Sequence, residues 1–346
     1  MHKWGYEAVK YDAMPASLIL HEKYHDKMYD PGLTTKEAYR NMIKKTREVL
    51  GEDCYMLACC GDNDADVLWV ADLFDSSRIG GDIFKWDEFL EFGVKKVFRY
   101  YPLHNNVLYP DPDNVVMREE FNDIYQATSR MQFVSMLGLP VTFGDEFDTL
   151  DEARIDIIKK NLPVLDIHPM NIYNQSKLEK ILKMVMAIEK EWESYSIINV
   201  FNTSSEKTTA EIDFNEDIGL DEGAYIVYDY TDDKLVKTTK NGFSAKLNKC
   251  QSKIFSIRKK LDVPQVISTS RHISQGACEI KNMVWSEKTK TLTIEADVIK
   301  DAPYTVVFYI PEGYNASELE KCADKNVYKK TIMPKATKTE KIEIKF

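Results

Sequence analysis

Two pairs of a basic and an acidic residue have spacings that could support nucleophilic or acid–base chemistry. The first pair is Lys10 and Asp12, at the carboxyl end of a short apolar stretch at residues 8–9 that predicts a buried strand. Residues two apart on a strand share a face, so Lys10 would favour the ionised form of Asp12 that a nucleophile requires. The alternative for a single aspartate after a strand is a cap or a turn.

The second pair is Arg78 and Asp82, four residues apart with Gly80 and Gly81 between them. The two glycines carry no side chain and would let the backbone approach a ligand closely. In the alternative interpretation, Asp82 caps a helix that begins near Ile83 and Arg78 is a surface charge.

Two further stretches place aspartates beside predicted turns or strand ends. Residues 111–113 read Asp-Pro-Asp, which predicts a turn whose backbone Pro112 fixes. Asp145 ends a predicted strand and precedes a helix. Neither stretch identifies a chemistry by itself.

The elements that must position these residues alternate between strand and helix over residues 1–193. This alternation predicts a parallel sheet with helices outside it, in which chemistry collects at the carboxyl ends of the strands. One helix is predicted from the capping box of Thr34 and Glu37 to Gly51. The sequence also predicts strands at 54–61 and 93–101, a strand followed by a loop within 139–145, and an amphipathic helix at about 177–193.

After residue 193 the pattern changes to short strands separated by Gly, Asn and Asp. Residues 291–298 alternate apolar and polar side chains, as in a strand with one buried face. We therefore predict a β-sandwich domain at 194–262. Residues 263–346 are predicted to form either a further β-rich domain or a continuation of the sandwich.

Composition narrows the class of partner. The 346-residue chain has a formal net charge of −10, which argues against a nucleic-acid partner because such a partner needs a basic face. No stretch approaches the roughly 18 apolar residues of a membrane span, and no signal peptide is visible. The sequence therefore favours a soluble protein, cytoplasmic or secreted, that acts on neutral ligands. The six cysteines have neither C-x-x-C nor metal-ligand spacing, which predicts reduced, buried thiols.

Taken in order, these motifs resemble the α-galactosidases, or melibiases, of glycoside hydrolase families 27 and 36. Residues 4–12 (WGYEAVKYD) are similar to the fourth barrel strand with its nucleophile, and residues 76–82 (SSRIGGD) to the loop that bears the acid/base. The resemblance covers residues 4 to about 260. It continues through residues 111–117 and 141–163 in the barrel, and 198–214 and 219–230 in the sandwich.

The resemblance implies the C-terminal portion of a (β/α)₈ TIM barrel, residues 1–193, followed by antiparallel β-sandwich domains. It implies a retaining hydrolase of α-galactosides or related α-glycosides, with Asp12 as nucleophile and Asp82 as acid/base. Lys10 and Arg78 would contact sugar hydroxyls, and Cys60 would either line the sugar site or be a buried structural thiol. Neither a metal nor an organic cofactor is expected.

The resemblance also implies missing parts, since the chain supplies only about five of eight strand–helix units. In the family, the early strands carry acidic residues that hold galactose hydroxyls. We therefore expect a carbohydrate substrate together with either a homo-oligomer or an N-terminal partner chain. The alternative function is a non-catalytic remnant, or a carbohydrate-binding or assembly subunit. A third reading is an α/β domain with a β-sandwich interaction module and no sugar site.

Overall fold

A four-stranded parallel sheet lies at the centre of the first of two compact units. The computed structural model describes residues 4–60, 64–167, 169, 171–172 and 178–346. Unit 1 is built from Met1–Asn122, Leu139–Glu146 and Tyr173–Leu178. Its sheet has the order β1 (Ala8–Tyr11), β2 (Tyr55–Cys59), β3 (Ser76–Arg78) and β4 (Tyr109–Asp111).

Helices follow the strands of unit 1, as the alternating pattern predicts. They are α1 (Met14–Lys23), α2 (Thr35–Leu50), α3 (Asp64–Val70), α4 (Trp86–Glu88) and α5 (Lys95–Tyr100). The capping box of α2 is confirmed, because Thr34 Oγ1 accepts a bond from Glu37 N at 3.3 Å and the Glu37 carboxylate accepts one from Thr34 N at 2.9 Å. Gly51, at φ 82°, ends the helix. Along the described ranges, no helix is long and apolar enough to cross a membrane.

Three predicted elements are wrong, and burial explains two of them. Residues 93–101 are helical: a π-helical turn at Phe89–Val94 runs into α5, and the buried residues Val94, Val97 and Tyr101 have helical spacing. Residues 139–145 form no strand. The predicted helix at 177–193 is a strand over Ile181–Lys190, because alternate side chains from Leu182 to Ile188 are buried.

Unit 2 contains two α-helices and four antiparallel sheets among the described residues. The helices are α6 (Ile124–Met136) and α7 (Glu152–Asn161). The strands are β5 (Ile181–Lys190), β6 (Glu193–Asn202), β7 (Thr208–Asp213), β8 (Tyr225–Asp229), β9 (Lys234–Thr239), β10 (Gly242–Leu247), β11 (Ser252–Lys259), β12 (Gln265–Thr269), β13 (Ile280–Ser286), β14 (Thr291–Val298), β15 (Tyr304–Tyr309), β16 (Glu320–Lys321), β17 (Val327–Ile332) and β18 (Lys338–Lys345). Since β5 pairs with β6, the antiparallel part of the chain begins before residue 194.

The strands of unit 2 surround two large apolar cores. Strands of the sheets β5-β6-β11-β8-β9 and β10-β7 contribute to one core, which includes Ile198, Phe243 and Phe255. Strands of the sheets β12-β15-β17-β16 and β13-β14-β18 contribute to the other. In β14 the predicted alternation is confirmed, because the apolar residues from Leu292 to Val298 are buried.

Candidate active site

The carboxyl ends of the four parallel strands bring the predicted residues to one edge of the sheet. Tyr11 pairs with Ala58, Cys59 with Arg78, and Arg78 with Asp111. Because Asp12 directly follows Tyr11, the register places it level with Cys59, in a row that continues to Arg78 and Asp111. Asp82 lies four residues beyond Arg78, in the loop after β3.

Asp12 is exposed, and its surroundings favour the carboxylate. Its Oδ1 accepts a bond from the backbone N–H of Ala13 at 2.8 Å. That bond is the largest cause of a lowered Asp12 pKa, followed by a hydrogen bond from the Cys59 thiol. Lys10 and Arg78 lower the Asp12 pKa further through their charges. The group is therefore ionised at neutral pH, and the neighbouring lysine that the spacing singles out is a secondary cause.

Arg78 is the centre of the site. Its side chain is only 5% exposed and donates to Asp113 Oδ1 at 2.9 Å, Asp82 Oδ1 at 3.2 Å and the Gly81 carbonyl at 3.0 Å. The Asp82 side chain is 81% exposed. The alternative in which Arg78 is a surface charge is wrong. So is the helix cap by Asp82, because the helix begins at Trp86 with Lys85 at its N-cap, and the Ile83 N–H donates to Asp113 Oδ2 at 2.8 Å.

The glycine pair has a packing role that the sequence did not reveal. A Cβ added to Gly80 would lie 2.4 Å from the carbonyl oxygen and 2.8 Å from the Cβ of Phe92. A Cβ added to Gly81 would lie 3.5 Å from the nearest ring atoms of the same phenylalanine. Gly80 is therefore required for close approach to the π-helical turn.

Two further candidates are Asp111 and Asp113, which the sequence pattern indicates only as turn residues. Asp111 is 3% exposed and accepts a bond from Asp113 N at 2.9 Å. Burial raises the Asp111 pKa to about 6, although the charge of Arg78 opposes the shift. The signal that could have identified these residues is the Asp-Pro-Asp spacing, which places two carboxyls at the end of one strand.

Cys60 and Asp145 both lie in buried surroundings. Cys60 is fully buried, with its Sγ 3.8 Å from Met14 Sδ, as in the structural-thiol interpretation. Its neighbour Cys59 is the thiol beside Asp12, and burial together with that bond raises the Cys59 pKa. The buried Asp145 carboxylate accepts bonds from the backbone of Met117 at 2.9 Å and Arg118 at 3.1 Å. Asp145 therefore stabilises the loop that follows β4.

A cavity of about 550 Å³ is lined by Arg78 and Asp111 of this row, but Asp12 and Asp82 are not among its lining residues. Its charged lining comes from Lys10, Arg78, Asp111, Asp113 and Arg118, while Leu57, Phe84 and Phe143 are among its apolar residues. This mixture of apolar surface and a few convergent polar groups is typical of small-molecule sites.

We expect Asp111 to titrate near pH 6. Because the pKa of Asp111 in the folded chain lies above the ordinary 3.8, the folded chain binds more protons than the unfolded chain between these two pH values. The contribution of Asp111 to the stability of the fold therefore falls by about 3 kcal/mol as the pH rises through this window. Asp111→Asn should therefore gain stability relative to the wild type between pH 4 and pH 7. Carboxyl ¹³C NMR of Asp111 and urea unfolding at both pH values measure this; a midpoint near 4 would contradict it.

The comparisons with known proteins concern the fold. No protein-family model matches the sequence. Among solved structures, the chain is similar to a GH27 β-L-arabinopyranosidase from Geobacillus stearothermophilus, with a TM-score of 0.54 and 15% identity over 75% of this chain and 59% of that enzyme. It is also similar to α-galactosidase I from Mortierella vinacea, with a TM-score of 0.52 and 10% identity over 75% of this chain and 69% of that one.

A third similar structure, isomalto-dextranase from Arthrobacter globiformis T6, matches at a TM-score of 0.50 and 15% identity, over 99% of this chain and 66% of that enzyme. At these identities the similarity establishes the fold. It confirms the predicted class, part of a (β/α)₈ barrel followed by antiparallel β-sandwich structure, and the resemblance to the α-galactosidase family at the level of the fold. The chain spans 59% of the length of the arabinopyranosidase.

Proposed function

We propose that this chain carries the catalytic carboxylates of a retaining glycoside hydrolase that acts on α-galactosides or related α-glycosides. The observation that carries the proposal is the arrangement around Arg78. Asp82 bonds its guanidinium at 3.2 Å, and Asp12 lies close enough for the same charge to lower its pKa. Two exposed carboxylates thus lie near one buried guanidinium, and a double displacement would need them about 5–5.5 Å apart.

In the proposed reaction, Asp12 attacks the anomeric carbon and forms a covalent glycosyl–enzyme intermediate while Asp82 protonates the leaving oxygen. Asp82 then removes a proton from the water that releases the sugar. The lowered pKa of Asp12 supports its role as nucleophile, because only the ionised carboxylate can attack. Asp82 is exposed and therefore accessible to the leaving group.

The substrate class rests on the fold and on the cations at the site. The similar structures include an α-galactosidase and a β-L-arabinopyranosidase. Lys10 and Arg78 line the 550 Å³ cavity and would donate hydrogen bonds to sugar hydroxyls.

A second candidate function, an assembly or carbohydrate-binding subunit, is favoured by the unpaired edge of strand β1. Within the described residues β1 pairs only with β2, and Ala8 and Lys10 are exposed on it. The prediction that residues 8–9 form a buried strand is wrong, because Ala8 is exposed and Val9 is only half-buried. A free edge of this kind pairs readily with another strand, which would come from a further segment or from a partner chain.

The acid/base role is tested by Asp82→Asn across a leaving-group series. We expect the loss of rate to grow with the basicity of the departing oxygen, from a few-fold for an activated aryl α-galactoside to about a hundredfold or more for an alkyl one. Asp87→Asn, also exposed and in the following helix, is the matched control and should have no effect. An equal loss across the series would assign Asp82 to binding alone.

The role of the free edge is tested with the chain alone. We expect oligomers by light scattering and little turnover of an aryl α-galactoside, because a displacement of about 1 Å at Asp12 is sufficient for roughly a hundredfold loss. Adding a polypeptide that can pair a strand with β1 should restore both a discrete mass and activity. A monodisperse monomer with full turnover would show that β1 needs no partner strand.

A further inference from the structure

A second cavity, of about 390 Å³, lies within unit 2 and shares no residue with the candidate active site. Its walls come from the end of α7, the turn after β8, and strands β12, β15 and β17. Val307 is the one aliphatic residue of its lining, and every other lining residue carries a polar group. Small-molecule cavities of this size are usually lined mainly by apolar groups, so this lining indicates a strongly polar ligand.

Hydrogen bonds to the surrounding protein determine what the lining hydroxyls can offer. Ser268 Oγ donates its proton to Gln275 Oε1 at 2.9 Å, and the Tyr230 hydroxyl donates to the Ser270 carbonyl at 3.2 Å. With their single protons used, the oxygens of Ser268 and Tyr230 can only accept further bonds.

Other lining hydroxyls keep their protons. Ser270 Oγ accepts a bond from Thr305 N at 2.9 Å, and Thr231 Oγ1 accepts one from Ile254 N at 3.2 Å. These two side chains can therefore still donate. The wall thus presents donors and acceptors together, which matches hydroxyl groups because a hydroxyl donates and accepts at once.

The two lysines of the lining do not make it an anion site. Lys329 forms an ion pair with Asp233, which also lines the cavity. Lys160 pairs with Asp156 at 2.7 Å. Because each cation has a carboxylate partner, the charges are balanced locally and favour a neutral ligand.

We propose that this cavity binds a neutral, hydroxyl-rich small molecule of the monosaccharide class. The site is independent of the chemistry proposed for Asp12 and Asp82. A sugar would place its hydroxyls between the accepting oxygens of Ser268 and Tyr230 and the donors on Ser270 and Lys160.

The test uses the double variant Thr305→Val/Thr331→Val. The hydroxyls of Thr305 and Thr331 line the cavity and bond each other at 2.8 Å, so isosteric valines remove both without leaving an unpaired partner. D-galactose, D-glucose and inorganic phosphate are titrated separately into the full chain and followed by ligand-detected NMR. We expect at least one of the sugars to bind, and its Kd to rise at least about fivefold in the variant.

Two controls identify the site. Thr238→Val/Thr293→Val changes two strand threonines outside the cavity and should leave sugar binding unchanged. Asp12→Asn/Asp82→Asn alters the candidate active site, and sugar binding at the second cavity should survive it. If the valine pair prevents folding, Lys160→Met removes a donor from another wall and should weaken binding similarly.

Three results would overturn the proposal. They are the absence of saturable binding by either sugar, sugar binding that is lost in Asp12→Asn/Asp82→Asn but kept in the valine pair, and saturable binding by phosphate alone. Because the two sites are altered separately, failure of this proposal leaves the proposed hydrolase activity testable by its own variants.

Discussion

Asp12→Asn is expected to lower turnover of an activated aryl α-galactoside by about a thousandfold or more, in a preparation that contains the complete barrel. The amide cannot attack the anomeric carbon, and it is nearly identical in shape to the carboxylate, so the fold should be unchanged. The bond from Ala13 N can be kept by the amide oxygen. Initial rates at saturating substrate, together with circular dichroism, measure the two effects separately.

A variant with a smaller side chain at the same position distinguishes a role of Asp12 as nucleophile from a role in binding the substrate. Asp12→Gly opens space beside the anomeric carbon, so added azide should restore turnover and yield a glycosyl azide of inverted configuration. Asp53→Asn, at an exposed position before β2, is the control and should keep full activity. More than a small residual rate in Asp12→Asn, without rescue of the glycine variant, would remove Asp12 from the nucleophile role.

Arg78→Met is expected to have the largest effect on stability. It removes the partner of Asp113, whose side chain is 13% exposed, and the charge that opposes the raised pKa of the buried Asp111. Loss of one member of a buried ion pair is worth about 3–5 kcal/mol. Hydrogen exchange at the amides of β3 and β4 should therefore accelerate by about a hundredfold or more.

Two further variants test that explanation. Arg40→Met removes an exposed ion pair with Asp72 and should change exchange by less than about 1 kcal/mol. Adding Asp113→Asn to Arg78→Met should restore part of the protection, because the uncompensated charge is gone while the amide oxygen can still accept from Ile83 N. If Arg78→Met and Arg40→Met accelerate exchange equally, the Arg78 cluster is not a buried ion-pair site.

The parts of the fold that could be predicted from the sequence are those fixed by local patterns. The capping box of α2 depends on residues three apart, and the alternation of β14 depends on a single strand facing a core. Residues 181–190 were harder because Leu, Met, Ala, Glu and Lys all favour helix, whereas burial of alternate side chains in a sheet determines the strand.

The site was predictable only where its residues are close in the chain. Lys10 with Asp12, and Arg78 with Asp82, are visible as spacings. The pair of Arg78 with Asp113 joins strands that are adjacent in the sheet but 35 residues apart in the chain, so no local pattern reveals it. Burial raises the Asp111 pKa, and burial belongs to the folded sheet rather than to the sequence motif.

The hairpin of β5 and β6 has a consequence for the order in which the chain folds. Its pairs run from Lys190 with Glu193 outward to Ile181 with Asn202, so each contact closes only a short loop. In the parallel pair of β1 and β2, by contrast, every contact, such as that of Tyr11 with Ala58, closes a loop that contains both α1 and α2. Because the entropy of loop closure is lost before a distant contact forms, we expect the hairpin of β5 and β6 to form before β1 pairs with β2.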